Sequence, residues 1–420
     1  MPRICLCFHV HQPHRLSRFS FFKIGSAAGD AASLDGHYFD SEMNGRYFDK
    51  AATQCYLPAN RILLDLLQRH KGEFRFSLSI TGTFIEQAEK YRPDALESFR
   101  QLCSTGMVDV LDETYHHSLS SLYGDLSEFC EQVKEHNSIV REKLGASPRS
   151  FRNTEVIYNN RIAGAVEKMG YGAIITEGVD WLLGWRSPNY VYRPKGCSSL
   201  RLLMRNYKLS DDVGFRFSAR GWPEWPLTAD KYASWLSATP GQVINLFMDY
   251  ETFGEHHWKY TVILDFLEHL PSESLNYGNL SFATISQAAS AFEPAGEIDA
   301  PFDISWADAE RDTSTWLGNR IQRACFSELE RLLPKVRAAS DPRLMRIYRR
   351  LQTSDHLMYL STKGMSDREV HNYFSPYKES NQYENFINYM NILNDFRFQV
   401  ESRAAAAVEG SATQAAGAGK

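Results

Sequence analysis

Short apolar runs alternate with helical patterns along the first two thirds of the chain. "RICLCFHVH" (3–11) is typical of a buried strand, and "FRFSLSITG" (74–82) alternates apolar and polar residues. Between them, "LPANRILLDLLQRH" (57–70) has apolar residues at helical spacing. Further strands are predicted at 108–116, 150–155, 172–178, 200–207, 242–251 and 279–285. The alternation predicts a parallel sheet covered by helices, and this number of units favours a (β/α) barrel over an open sheet.

The pattern changes after residue 296. Three long helical patterns follow at 315–339, 342–362 and 381–404, and the last residues, "AAAAVEGSATQAAGAGK", have low complexity. We therefore predict a barrel domain at 1–296, an all-α domain at 297–404 and a disordered tail at 405–420. No GxGxxG follows the first strand, which disfavours a dinucleotide-binding fold.

Composition narrows the class of protein. The chain has 420 residues, of which 43% are hydrophobic and 23% charged, as in ordinary globular proteins. Its net charge of −5 provides no basic surface for nucleic acid, and no apolar run approaches the length of about 20 residues that a membrane span needs. Seven cysteines without a CxxC pair predict free thiols in a reducing compartment. "MPRICLCFHV" is predicted to be a first strand rather than a signal peptide, so we expect a cytoplasmic protein.

Polar residues gather where the predicted strands end. His9 and His11 close the first strand, "DETYHH" (112–117) closes the third, and Glu155 closes the fourth. "MDYETFGEHHW" (248–258) closes a later strand. A single histidine or carboxylate could be a packed or helix-capping residue. In a parallel barrel the carboxyl ends of the strands meet at one face, so the concentration of such residues favours an active site there.

Two chemistries fit these residue types. One is a metal site built from His9, His11 and an aspartate, as in barrel deacetylases. The other is glycoside hydrolysis by two carboxylates, one ionised as the nucleophile and one protonated as the acid. The residue types alone leave both open.

Four features together resemble glycoside hydrolase family 57. They are "HQP" (11–13), the strand-four glutamate, "MDYETFG" (248–254) and a carboxylate in a later helical segment. This family contains α-amylases, 4-α-glucanotransferases and α-glucan branching enzymes. The resemblance covers about residues 1–400 and implies an incomplete (β/α)7 barrel followed by a helical bundle. "ISWADAERDTSTWLGN" (304–319) and "HNYFSPY" (371–377) are more similar to the α-amylase-like branch.

The resemblance also assigns roles to residues. It implies that Glu155 is the nucleophile, that Asp249 is the general acid/base, and that His11 of "HQP" binds substrate. Glu86 in "ITGTFIEQ" (80–87) matches the carboxylate of a second family region. "TSDHLMYLSTKG" (353–364) looks like a fifth region. Its Asp355 and His356 would reach the site from the helical domain.

Two more residues complete the expected substrate site. Glu251, two residues after Asp249, would orient its neighbours or bind sugar hydroxyls, and Trp258 is a candidate stacking surface. The mechanism needs neither a metal nor a cofactor. We expect a retaining, α-amylase-like hydrolase of intracellular glycogen or maltodextrin. A 4-α-glucanotransferase, a branching enzyme and a catalytically silent α-glucan-binding protein remain alternatives.

Overall fold

The computed structural model describes residues 1–26, 31–363 and 381–417, in two compact units. The first unit contains Met1–Gln12, Gly45–His117 and Gly124–Thr313. The second contains Pro13–Asn44, Ser118–Tyr123 and the chain from Ser314 onward. The segment "HNYFSPY" (371–377) lies outside the described residues.

The first unit is built on parallel strands. The strands along the described chain are β1 Arg3–Val10, β2 Phe76–Ile80, β3 Val108–Leu111, β4 Ser150–Arg152, β5 Ala173–Glu177, β6 Val191–Pro194, β7 Arg201–Arg205, β8 Val243–Asp249, β9 Ser281–Phe282 and β10 Glu297–Ile298. One sheet has the order β3-β2-β1-β8 with β9 beside β1, and the other has the order β10-β6-β7-β5-β4. Every pairing is parallel except that of β6 with β7.

Single contacts join the two sheets. Between β3 and β4, the Asp112 N–H donates to the Ser150 carbonyl at 2.9 Å and the Arg152 N–H donates to the Asp112 carbonyl at 2.8 Å. Between β7 and β8, the Asn206 N–H donates to the Asn245 carbonyl at 2.9 Å. The strands therefore follow one another as β8-β1-β2-β3-β4-β5-β7, without a full ladder at either junction. The predicted fold class, an incomplete parallel (β/α)7 barrel with a helical C-terminal region, is confirmed.

Helices connect the strands and form the C-terminal region. They are α1 Ala31–Tyr38, α2 Ser41–Ala51, α3 Leu57–Arg69, α4 Gly82–Tyr91, α5 Pro93–Ser104, α6 Ser127–Leu144, α7 Asn160–Lys168, α8 Asp180–Leu183, α9 Tyr207–Gly214, α10 Ala229–Ala238, α11 Ile263–Leu275, α12 Ile285–Ala291, α13 Ser314–Leu317, α14 Arg320–Ala339, α15 Pro342–Leu351, α16 Ser354–Met358 and α17 Gln382–Gly417. No described helix is both long and apolar enough to cross a lipid bilayer.

The residues of β1 alternate between two cores. Phe8 and Val10 belong to a large core with the surrounding helices, whereas Cys5 and Cys7 belong to a second core with residues of β5, β7 and β8. Because successive strand residues point to opposite faces, His9 continues the Cys5–Cys7 face. The first strand thus carries its histidine on the inner side of the sheet.

The second unit combines distant parts of the chain. Tyr38 in α1 donates a hydrogen bond from its hydroxyl to Asp395 in α17 at 2.5 Å, and Arg350 in α15 pairs with Asp35 at 2.5 Å. The Asn388 side-chain amide donates to the Ser17 carbonyl at 3.0 Å. The early segment Pro13–Asn44 therefore belongs with the C-terminal helices, although the sequence predicted a boundary only at residue 297.

Several predicted elements have different limits. β3 and β4 end at Leu111 and Arg152, so the polar residues expected on those strands lie in loops. The helical pattern at 342–362 is two helices, α15 and α16, and α17 continues to Gly417 through residues predicted to be disordered. β6 and β10 were not predicted.

Candidate active site

The register of the strands brings the polar strand ends together. His9 on β1 is paired with Asp249 on β8 and with Ser79 on β2. The Ser79 hydroxyl donates to Glu113, in the loop after β3, at 2.6 Å. Because these neighbouring strands run parallel, their carboxyl ends meet at one face of the first unit.

Asp249 and His9 form the first pair of the site. The Asp249 Oδ1 lies 3.3 Å from His9 Nδ1, and the Asp249 side chain keeps 25% of its surface exposed. His9 is buried, and its Nε2 lies 3.7 Å from Glu113 Oε2. Asp249 is therefore accessible from outside while its imidazole neighbour is enclosed.

Buried His117 links two carboxylates. Its Nδ1 lies 3.5 Å from Glu113 Oε2 and its Nε2 lies 3.1 Å from Glu155 Oε1. Burial lowers the pKa of His117, but hydrogen bonds with Glu113 and Glu155 outweigh it and raise the pKa to about 9. At neutral pH the imidazole is a cation, so both of its nitrogens carry a proton.

Fully buried Glu113 carries the opposite charge. Burial raises its pKa, but hydrogen bonds with His117 and His9, together with the charge of Arg152, hold the pKa well below its usual range. Arg152 Nη1 lies 3.8 Å from Glu113 Oε2. The order Asp249, His9, Glu113, His117, Glu155 is an alternation of carboxylates and imidazoles, here called the His–Glu row.

Glu155 stands on a strained turn rather than on a strand. Thr154–Val156 form a single 3₁₀ turn, and Glu155 has φ 55° and ψ 23°. Val156 follows with φ 56°. A left-handed conformation is rare for residues other than glycine, especially β-branched ones, and costs on the order of 1–3 kcal/mol. Such strain persists only where the surrounding structure enforces it, and strained residues are concentrated at functional sites.

The Glu155 carboxylate is bound on both oxygens. Its Oε1 faces His117 Nε2, and its Oε2 accepts a hydrogen bond from the Trp306 indole N–H at 2.9 Å. The guanidinium of Arg152 lies 4.9 Å from the centre of the Trp306 ring. Two donors thus fix the orientation of a nearly buried carboxylate and stabilise its negative charge.

Glu251 has a different environment from Asp249. β8 ends at Asp249, and Tyr250–Thr252 form a 3₁₀ turn, so Glu251 lies beyond the strand that carries Asp249. The Tyr56 hydroxyl donates to Glu251 Oε1 at 2.5 Å. Burial, and next the charge of Asp249, raise the pKa of Glu251 to about 8. Glu251 is therefore mostly neutral at pH 7.

The rest of "MDYETFG" serves the structure of the turn. The Phe253 ring packs edge-on against Phe8 with ring centres 5.4 Å apart. Gly254 has φ 126°, and a Cβ there would lie 2.1 Å from the Gln54 carbonyl oxygen. Only glycine fits that position, because any Cβ there would overlap the neighbouring backbone.

His11 lies in the loop directly after β1, and Glu86 lies on α4. His11 Nδ1 is 3.0 Å from the Thr81 hydroxyl, and its ring centre is 4.1 Å from that of His117. Half-buried Glu86 on α4 accepts a hydrogen bond from Tyr115 at 3.0 Å. His11 thus adjoins the His–Glu row.

Trp258 is 45% exposed, beside exposed Tyr260 with ring centres 5.6 Å apart. An exposed aromatic pair of this kind is compatible with sugar stacking. Its role as a stacking surface remains a prediction.

Asp355 and His356 lie on α16 in the second unit. Both are buried, and burial lowers the pKa of His356 to about 4, so this histidine is neutral. Their participation in the site of the first unit remains a prediction.

Within the described residues, His9, Glu113 and His117 can bring one ligand atom each within 4.8 Å of one another, as a metal site requires. This is not the His9–His11–aspartate set considered from the sequence. Cationic Arg152 and the high pKa of His117 already supply positive charge to Glu113. A divalent ion would compete with both.

Three participants were not chosen as site residues from the sequence. Glu113 and His117 were visible in "DETYHH", but nothing distinguished them from their polar neighbours. Trp306 lies far along the chain in "ISWADAERD", where a lone tryptophan in a polar stretch was the one available signal.

Sequence comparison identifies the family. The sequence model of Glycosyl hydrolase family 57 matches residues 5–301. A Methanocaldococcus jannaschii protein described as a candidate alpha-amylase is 45% identical over 405 residues, covering 94% of this chain and 84% of that protein. The chain therefore belongs to glycoside hydrolase family 57 and is a glycoside hydrolase by family, as the resemblance predicted.

Solved structures support the same fold. A branching enzyme of this family from Thermococcus kodakaraensis aligns with TM-score 0.64 and 14% identity, covering 89% of this chain and 87% of the enzyme. The 4-alpha-glucanotransferase from Thermococcus litoralis aligns with TM-score 0.62 and 17% identity, covering 85% of this chain. The chain spans 56% of the length of that transferase. At these identities the likeness concerns the fold alone.

Proposed function

We propose that this protein hydrolyses α-1,4-glucans with retention of configuration, using Glu155 as the nucleophile and Asp249 as the general acid/base. The substrates that we propose are glycogen and maltodextrin. The observation that carries the proposal is the His–Glu row. It gives the two carboxylates the two different environments that a double displacement requires.

Glu155 suits the nucleophile's part. The reaction passes through an oxocarbenium-like transition state, and an ionised carboxylate must attack the anomeric carbon to form a glycosyl-enzyme. The His117 cation and the Trp306 N–H stabilise the charge and hold the carboxylate in one orientation. The turn that carries Glu155 is buried, which limits competing water.

Asp249 suits the proton-transfer part. It must donate a proton to the leaving oxygen and then accept one from the incoming water. Its side chain is one-quarter exposed, so sugar oxygens can reach it. The Nδ1 atom of His9 contacts the Asp249 carboxyl group at 3.3 Å.

Hydrolysis and glycosyl transfer use the same carboxylates and differ in the acceptor. Incubation with glycogen, amylose and maltoheptaose, followed by chromatography, separates them. We expect shorter sugars only. Longer oligosaccharides would indicate a 4-α-glucanotransferase, and new α-1,6 links would indicate a branching enzyme. Glucans that bind measurably but remain unchanged would indicate a catalytically silent binding protein.

Replacing Glu155 with Gln tests the nucleophile. Gln keeps the volume and can still accept from Trp306, but it cannot attack, so turnover should fall by several orders of magnitude with the melting temperature nearly unchanged. Glu224→Gln is the matched control, since Glu224 pairs with Lys231 at the surface. Residual activity of more than a few per cent in Glu155→Gln would refute the assignment.

The competing metal hydrolase is tested by chelation. We expect EDTA to leave the rate unchanged, because the proposed steps use carboxylates only. Loss of activity in EDTA with recovery on adding zinc would favour a metal bound by His9, Glu113 and His117.

A further inference from the structure

A large cavity lies at the amino-terminal end of the strands, opposite the His–Glu row. Its volume is about 1100 Å³, and residues of α12 and of the beginnings of several strands line it. α12 contributes Ile285, Ala288 and Ala289 to the core inside the sheet, so it covers this end of the barrel. The His–Glu row is at the carboxyl ends, and the two sites are separated by the length of the strands.

Four arginines line this cavity, each at the beginning of a different strand. Arg3 and Arg201 are the first residues of β1 and β7, and Arg75 and Arg149 immediately precede β2 and β4. Parallel strands that each begin with arginine bring the guanidinium groups to one end of the sheet. The spacing in sequence hides this, because the four residues are up to 198 positions apart.

These arginines have few close carboxylate partners, although Arg149 also interacts electrostatically with Asp109. Across residues 1–26, 31–363 and 381–417, Arg3, Arg75 and Arg149 form no ion pair with a carboxylate. Within the described part of the chain, the Arg75 side chain donates only to the Gly72 carbonyl, at 3.2 Å. Arg201 lies 3.7 Å from Glu293, whose side chain is 94% exposed. By contrast, buried Arg205 has two carboxylate partners.

The lining also offers polar and aromatic contacts. The buried Ser150 hydroxyl lines the cavity and has no hydrogen-bond partner among the described residues. Arg3 lies over the Phe292 ring at 5.3 Å from its centre. A guanidinium stacked on a ring presents its donors sideways, and the ring itself is a surface for a flat organic group.

We propose that this cavity binds a small organic phosphate that carries at least two phosphate groups. Guanidinium groups bind phosphate oxygens in pairs, and like charges gathered in one concave surface favour an anion of matching charge. The chain as a whole is negative, at −5, so the positive cavity is a local feature. The volume accommodates a nucleoside diphosphate, and the cavity is independent of the glucan site.

Isothermal titration at constant ionic strength tests the proposal on the full chain. The probes are ADP, pyrophosphate and inorganic phosphate, each with and without saturating maltoheptaose. The variants are Arg75→Gln and Arg149→Gln, and Arg61→Gln on the exposed side of α3 is the matched control. Circular dichroism checks that each variant is folded; among the described residues, the Arg149 side chain makes no hydrogen bond or ion pair, and its interaction with Asp109 is electrostatic.

We expect saturable binding of ADP that is tighter than that of inorganic phosphate and unaffected by maltoheptaose. Each cavity variant should weaken it at least about tenfold, and Arg61→Gln should not. Absence of saturation at millimolar ADP would overturn the proposal, as would equal affinity for inorganic phosphate. Unchanged binding in both cavity variants, or displacement by maltoheptaose, would place the ligand elsewhere. None of these results depends on which glucan reaction the protein performs.

Discussion

At the scale of single residues, the two proposed catalytic carboxylates differ by what holds them. Glu155 is fixed by a cation and an indole N–H on a strained turn, whereas Asp249 is partly exposed beside one imidazole. The same row of ionisable groups touches both. A substitution at one end of the His–Glu row should therefore alter the electrostatic environment at the other end, because each imidazole has a carboxylate on either side.

The assignment of Asp249 as the acid/base can be separated from that of Glu251. An acid/base variant retains activity on substrates whose leaving group departs without protonation, and an external anion can take over its base role. Asp249→Ala should thus lose activity on maltodextrin but cleave an activated fluoride substrate, with azide accelerating turnover and yielding a glycosyl azide. Glu251→Gln is the control and should show no azide effect. Rescue at Glu251 and not at Asp249 would reverse the two roles.

Glu251 should make the protein less stable as pH rises. Burial, and then Asp249, raise its pKa from 4.5 to about 8, so the folded state holds a proton that the unfolded state releases in this range. The free energy of unfolding contributed by this group therefore falls between pH 4.5 and 8, by on the order of a few kcal/mol. Thermal melts should show a smaller decline for Glu251→Gln than for the wild type. Parallel pH curves for the two proteins would contradict this.

At the scale of elements, the strands were predictable where apolar residues recur along a run of strand length. β1, β2 and β8 were found from that pattern within a few residues of their observed limits. The loop conformations were not, because a left-handed Glu155 or a 3₁₀ turn after Asp249 depends on neighbours far away in sequence, such as Trp306 and Tyr56. The sequence named Glu155 and Asp249 as candidates, but it did not predict the conformation of the loops that carry them.

A buried asparagine side chain contributes one of the hydrogen bonds across the junction between β7 and β8. The Asn245 side-chain amide donates to the Met204 carbonyl at 2.8 Å, where no continuous ladder joins the strands. Asn245→Leu would leave that carbonyl without its donor, and denaturant unfolding should show a loss of about 1–3 kcal/mol. Exposed Asn276→Leu should change stability by less than about 0.5 kcal/mol. An equal effect of both substitutions would mean that the junction does not depend on this bond.

At the scale of the whole molecule, the C-terminal helices should not be dispensable. A chain ended after Thr313 keeps Pro13–Asn44 but loses Asp395, Arg350 and Asn388, the partners of that segment. We expect the truncated protein to aggregate or to lose cooperative unfolding. A chain ended after Arg403 is the control and should fold. Soluble, fully active protein ending at Thr313 would refute the expectation.

Domain boundaries were the least predictable feature at this scale. Composition and periodicity change once, near residue 297, and a single change predicts two consecutive domains. The return of Pro13–Asn44 to the C-terminal helices leaves no such mark, because its polar contacts are made by ordinary residues such as Asp35 and Tyr38. Only the contacts with the C-terminal helices in the folded structure show that Pro13–Asn44 belongs to the second unit.

Because the second unit is built from separate parts of the chain, the ribosome synthesises those parts at different times. During synthesis, Asn44 leaves the ribosome about 270 residues before Ser314. At about 5–20 residues per second, this is a delay of roughly a quarter of a minute to a minute. For that interval the early segment has no partner to fold with, while the strands on either side of it can already pair. A nascent chain of intermediate length should therefore be cut by protease first between Pro13 and Asn44, and the completed chain should be protected there.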